Sequence, residues 1–145
     1  MDRSAPSLGT RLAPARLALH AEAFASVVAA SLAIRLLPFP RVVASRAAGG
    51  STVSRVESAE QVARLRSVVR AWCRRVPWRA KCFESAIALR AMLRRRGIAA
   101  TLHYGMTKDE DLRAHVWLSV AGEVVIGGEV PGFKEVATFP PVAAR

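Results

Sequence analysis

The apolar residues of this chain change period at Gly97, and that change limits the folds open to it. Before it, Val62, Leu65, Val69, Trp72 and Val76 recur every three or four residues, and Phe83, Ile87, Leu89, Met92 and Leu93 follow in a second such segment. After it, Ile98, Ala100, Leu102 and Tyr104 alternate with Ala99, Thr101 and His103. From Ala114, Val116, Leu118 and Val120 point one way while His115, Trp117 and Ser119 point the other. The first spacing belongs to helices and the second to strands. Ala121-Gly122 then closes a hairpin onto Glu123–Ile126, and Gly127 and Gly128 mark a bulge or a close backbone approach. Helices first and antiparallel strands afterwards predict an α+β domain.

Punctuation sets the helix limits. The Ala- and Leu-rich stretch from Pro14 to Leu37 reads as one long helix, stopped by Pro38-Phe39-Pro40. Its expected buried face carries Leu17, Phe24, Val27, Val28, Ser31, Leu32 and Leu36. The first dozen residues are expected to fray, and Val42 to Arg55 reads as a connection. A second helix starts at Ser58, which with Gln61 has the spacing of a capping box, and ends at Val76 before Pro77. A third runs from Cys82 to Arg96, where Arg94, Arg95 and Arg96 suit the negative end of the helix dipole and Gly97 the left-handed stop. Residues 1–57 are therefore expected to form a helical extension packed on a core made by 58–145.

With 22 Lys and Arg against 11 Asp and Glu in 145 residues, the chain carries a net charge of +11. Such a balance admits a nucleic-acid partner, but aromatics do not alternate with the arginines as they do in single-strand binders. No nucleic acid is expected; an acidic peptide or protein partner suits the charge equally well. The uncharged run from Ala23 to Ile34 is short of the roughly 20 residues that span a bilayer, and Glu22 abuts it. We read it as part of a buried amphipathic helix, so membrane contact is not expected, with a peripheral contact as the alternative. Two cysteines make neither a disulfide framework nor a four-ligand zinc site, so a reducing cytoplasmic compartment and no cofactor are expected.

Cys82 is the first candidate for chemistry. It stands where a loop broken by Pro77 enters a helix, close to unpaired backbone N–H groups and to the positive end of the dipole, a setting that favours a thiolate nucleophile. Arg79 and Lys81 act in the same direction and Glu84 opposes them. Cys73, by contrast, lies beside the apolar face of its helix and reads as a buried small hydrophobe. A thiolate enzyme needs a proton carrier, and imidazole serves near neutral pH. His20 reads as a partly exposed helix residue; His103 and His115 both sit on strands, and His115 is preferred because Trp117 shares its strand face.

These features together carry a resemblance. The stretches Lys81–Met106 and Leu112–Glu129 resemble the transglutaminase-like cysteine protease part of the lasso peptide biosynthesis B protein, the leader peptidase. The shared elements are the Cys that opens a helix with Ser85 and Leu89 on following turns, the Arg-rich helix end closed by Gly97, the strand ending in Gly105, and the Ala-His-x-Trp strand with its Gly hairpin. The pattern covers residues 58 to 140, and the helices before the LLPFP break are similar to that family's amino-terminal part.

The resemblance implies a transglutaminase/papain-like fold, with the nucleophile helix packed on a small antiparallel sheet. It also implies cleavage of a precursor peptide through an acyl-enzyme, after which an ATP-dependent macrolactam synthetase takes the freed core. Cys82 matches the nucleophile and His115 the general base. The family's third residue, an Asp, falls near Gly127 or Gly128, which have no side chain to orient an imidazole. Glu129, a backbone carbonyl or a water would have to take its place. Because residues 1–57 do not read as the winged-helix-like recognition module that many relatives carry, a separate precursor-recognition protein is the expected partner. Two other readings use the same residues: an amide-transfer enzyme in which an amine resolves the acyl-enzyme, and a non-catalytic peptide-binding scaffold.

Overall fold

The structure, a computed structural model, describes residues 8–44, 55–78, 80, 82–107, 113–128 and 132–139. The connection around Gly49 and Gly50, the cations Arg79 and Lys81, most of the polar link before the second strand, and Glu129 lie outside the described residues. The element order is α1 (Leu8–Leu36), α2 (Phe39–Val43), α3 (Arg55–Arg75), α4 (Cys82–Arg95), β1 (Thr101–Met106), β2 (Ala114–Val120), β3 (Glu123–Ile126) and β4 (Lys134–Phe139). The strands form one antiparallel sheet in the order β3-β2-β1-β4, so the fold is α+β as expected.

The core lies between the helices and one face of the sheet. Leu89, Met92 and Leu93 of α4 are fully buried together with Leu102 of β1 and Val116 and Leu118 of β2, the residues that the alternation assigns to one face. Leu65 and Val69 of α3 and Ala23, Val27 and Ala30 of α1 close the same core from the helical side. At roughly 25 cal/mol per Å2 of apolar surface, each of the buried leucines contributes about 1.5–3 kcal/mol.

Four departures from the expectations have local causes. The Pro-Phe-Pro break carries α2: Pro38 is its N-cap and Pro40 stands in its first turn, where no N–H is needed. Phe39 then packs on Phe83, Tyr104 and Phe139, with ring centroids 5.4–5.9 Å apart. Helix α3 begins upstream of Ser58, so the Ser58–Gln61 pair lies inside the helix and does not start it. Strand β4 is an addition at the free edge of β1.

The fourth departure concerns α1. Its buried stripe is Ala23, Ser26, Val27, Ala30 and Ser31, whereas Leu17, Phe24, Leu32 and Leu36 of the expected buried face are exposed. Small side chains let α1 approach α4 closely, and the large apolar ones are left outside. Residues Pro14–Leu36 are long and apolar enough to cross a membrane by length and composition, with 28% of that window buried in the fold.

Arginines join these layers. Buried Arg90 donates to the carbonyls of Val43 at 2.9 Å and Phe139 at 3.2 Å, tying α2 to β4. Burial pushes its guanidinium pKa down, with the Arg94 charge adding to that. Arg95 and Arg96 pair with Glu22 of α1 at 2.9 and 2.6 Å, so two of the three arginines that suit the helix dipole also clamp α1 to the end of α4.

Candidate active site

Cys82 is the first residue of α4, reached through a short irregular segment after α3. That segment is anchored from α1: Trp78 Nε1–H donates to Ser31 Oγ at 2.9 Å. Ser85 Oγ–H donates back to the Cys82 carbonyl at 2.9 Å and tightens the first turn of α4. The four N–H groups at the start of a helix have no intrahelical acceptor, so an anion beside Cys82 meets donors and the positive end of the dipole.

Cys82 and Ser85 line a cavity of about 490 Å3, together with Arg66, Arg70, Cys73 and Arg74 of α3 and residues 124–128 of β3 and the turn after it. The two thiols in this cavity differ. Burial, helped by the charge of Glu84 and opposed by Arg74, pushes the Cys73 thiol up to about 11, so Cys73 stays protonated at neutral pH and behaves as a small hydrophobe.

His115 stands at the start of β2, with Trp117 6.0 Å and Phe133 5.2 Å from its ring centroid. It does not line the cavity and makes no hydrogen bond to Cys82; the two are linked through Gly127, which lines the cavity and whose carbonyl lies 2.8 Å from His115 Nε2. A carbonyl only accepts, so the proton is on Nε2 and the lone pair of the neutral ring is on Nδ1. Gly127 thus engages His115 through its backbone, one of the substitutes expected for an orienting carboxylate.

No side chain fits at Gly127. Its φ is +101°, and an added Cβ would lie 2.5 Å from Trp117 Cβ and 2.8 Å from the Val116 carbonyl. Gly105 is constrained by the same tryptophan, whose ring atoms would stand 2.7 Å from a Cβ there.

His103 shares this sheet face and stacks on the other side of the question that the sequence left open. Its ring is parallel to Trp117 at 5.3 Å, so contact with Trp117 does not distinguish the two histidines. Hydrogen bonding does. Nδ1 of His103 is 2.6 Å from Glu135 Oε2 and Nε2 is 2.7 Å from Ser119 Oγ, so both nitrogens are engaged, whereas His115 retains one. His20 lies on α1 with its ring 6.4 Å from Trp72.

The arginine row of α3 was not singled out from the sequence. Its signal was legible, because positions 66, 70 and 74 are spaced by four and share a helix face.

A family model described as the transglutaminase-like superfamily matches residues 24–139. The chain belongs to this superfamily. No curated protein and no solved structure matches it at a significant level. Membership agrees with the α+β fold and is compatible with a cysteine peptidase or an amide-transfer enzyme. The match starts within α1 and runs through β4, so it takes in the second part of the long first helix as well as the sheet. Among the described residues no group of three or more His, Cys, Asp or Glu side chains is placed to hold a metal ion.

Proposed function

We propose that the protein is a cysteine peptidase that removes the leader from a lasso peptide precursor in the cytoplasm. The observation that carries the reading is Cys82 at the mouth of α4 in a cavity walled by Gly127, whose carbonyl accepts a hydrogen bond from His115 Nε2–H and leaves Nδ1 as the base. In this mechanism Nδ1 accepts the thiol proton and Cys82 Sγ attacks the scissile carbonyl carbon. Backbone N–H groups at the start of α4, that of Cys82 among them, hold the oxyanion. The imidazolium returns its proton to the leaving amine as the C–N bond breaks, and the same nitrogen then activates the water that releases the acyl group. The two side chains make no hydrogen bond in the free protein, so the transfer requires Nδ1 and Sγ to come within hydrogen-bond reach when the peptide binds.

A separate recognition protein delivers the leader, and an ATP-dependent macrolactam synthetase consumes the core. Cys82→Ala should abolish cleavage of the cognate precursor, read by mass spectrometry, while leaving the melting temperature within a few degrees of the parent; persistent cleavage by the pure variant would end the proposal. Product mass separates hydrolysis from amide transfer, since only hydrolysis yields leader and core that together exceed the precursor by one water.

A further inference from the structure

The cavity that holds Cys82 has one charged wall. Arg66, Arg70 and Arg74 follow one another on successive turns of α3, all three exposed and all lining it. None has an acidic residue three or four positions away on its own helix, in contrast to Arg64, which follows Glu60 by four. Among the described residues none of the three makes an ion pair or a hydrogen bond, although Arg75 next to them donates to the Ala71 carbonyl and Arg95 and Arg96 hold Glu22. Glu84 is the nearby carboxylate, acting against Arg74 on the Cys73 thiol, and its single negative charge leaves the row of three with a surplus of cation. Like charges four apart on a helix repel, so the row costs α3 stability in the free protein.

We infer that this row is a specificity element and binds a peptide segment bearing Asp or Glu side chains, extended along the cavity toward Cys82. The inference rests on the peptidase reading and names the class of substrate. Four residues of helix advance about 6 Å, and two residues of extended chain advance about 6.6 Å. Carboxylates at alternate positions of an extended peptide therefore meet successive arginines nearly in step. β3, an edge strand of the sheet, also lines the cavity and offers backbone groups with which an extended segment can pair. Single-stranded nucleic acid would meet the same charge, but among the described residues no aromatic side chain lines the cavity to stack a base.

The test uses the full chain carrying Cys82→Ala and two labelled ten-residue peptides, one with Glu at alternate positions and one with Gln in their place. A ten-nucleotide oligothymidine is titrated beside them, with fluorescence anisotropy at low and at physiological salt. Three solvent-screened charge pairs predict about tenfold tighter binding of the Glu peptide, falling with salt. Replacing the three arginines by Gln should remove most of that preference. Equal affinity for the two peptides overturns the inference with no variant needed, as does an unchanged preference after the replacement or tighter binding of the oligonucleotide.

A second readout needs no peptide. In the chain with Cys82 intact, Arg70→Gln should lower the rate of alkylation of Cys82 by anionic iodoacetate relative to neutral iodoacetamide, read on the Cys82 peptide by mass spectrometry. An unchanged ratio counts against the row. If the Glu peptide binds through the arginines and the intact chain cuts no peptide, the acidic-segment site stands and the peptidase reading falls. Cleavage indifferent to substrate charge gives the reverse.

Discussion

The Gly127 carbonyl fixes the tautomer of His115 as a carboxylate would, but it carries only a partial charge, so it stabilises the imidazolium less. Its position depends on the absence of a side chain at a left-handed residue pressed against Trp117. Gly127→Ala should therefore cost about 2–5 kcal/mol, the sum of a left-handed backbone penalty and overpacking against backbone atoms. Gly128 has φ +66° but open space around it, so Gly128→Ala should cost only the conformational part, about 1–2 kcal/mol. Urea denaturation of the two variants checks this, and equal losses would show that contact with Trp117 is not what demands glycine. At this scale Cys82 and His115 were legible because a helix start after a proline and a strict alternation are local patterns. The group that orients the imidazole stayed open among Glu129, a backbone carbonyl and a water, because the choice depends on how the turn after β3 folds back on β2. Nor did sequence separate His103 from His115: Trp117 lies opposite His103 in the β1–β2 register and stacks on both.

Among the elements, α1 shows where periodicity stops being informative. A helix that is apolar nearly all round has no polar face to mark the outside, and volume then decides which side goes in. Ala30 is 3% exposed and Leu32 49%, although the sequence pattern had placed Leu32 inside. Ala30→Leu should destabilise the fold by about 1–3 kcal/mol through overpacking between α1 and α4, whereas Leu32→Ala should stay within about 0.5 kcal/mol of the parent. The reverse order in a thermal or urea melt would mean that the helix packs by its large residues after all. Helix α2 and strand β4 escaped for other reasons. Two prolines around Phe39 read as a break, yet both occupy positions where a helix start tolerates them. Lys134–Phe139 is a mostly exposed edge strand next to Gly132, so no buried alternation announces it. The limits of β2 and β3, by contrast, follow from alternation and the Ala121-Gly122 turn, which the structure reproduces residue for residue.

For the whole molecule, α1 is held to α4 and to the segment before it at two places along its length. Ser31 holds Trp78 ahead of Cys82, and Glu22 holds Arg95 and Arg96 at the far end of α4. The second of these titrates. The hydrogen bond from Arg96, aided by its charge and by Arg95 and only partly offset by burial, keeps the Glu22 carboxyl below its ordinary value near 4.5. The folded state thus binds this proton less readily than the unfolded chain does. The clamp therefore contributes its full stabilisation above about pH 4.5 and loses it as the pH falls from there through the folded-state value. The carboxylate is partly exposed, so that contribution is at most about 1 kcal/mol. Other carboxylates protonate over the same range and push the +11 chain further toward self-repulsion, but they do so in parent and variant alike. Subtracting the stability of Glu22→Gln from that of the parent, each from urea melts at fixed ionic strength, isolates the clamp. The difference should be largest near pH 7 and shrink as the pH falls below about 4.5. A difference that stays constant across that range would mean that Glu22 holds α1 in place through packing and neutral hydrogen bonds, with its charge contributing nothing.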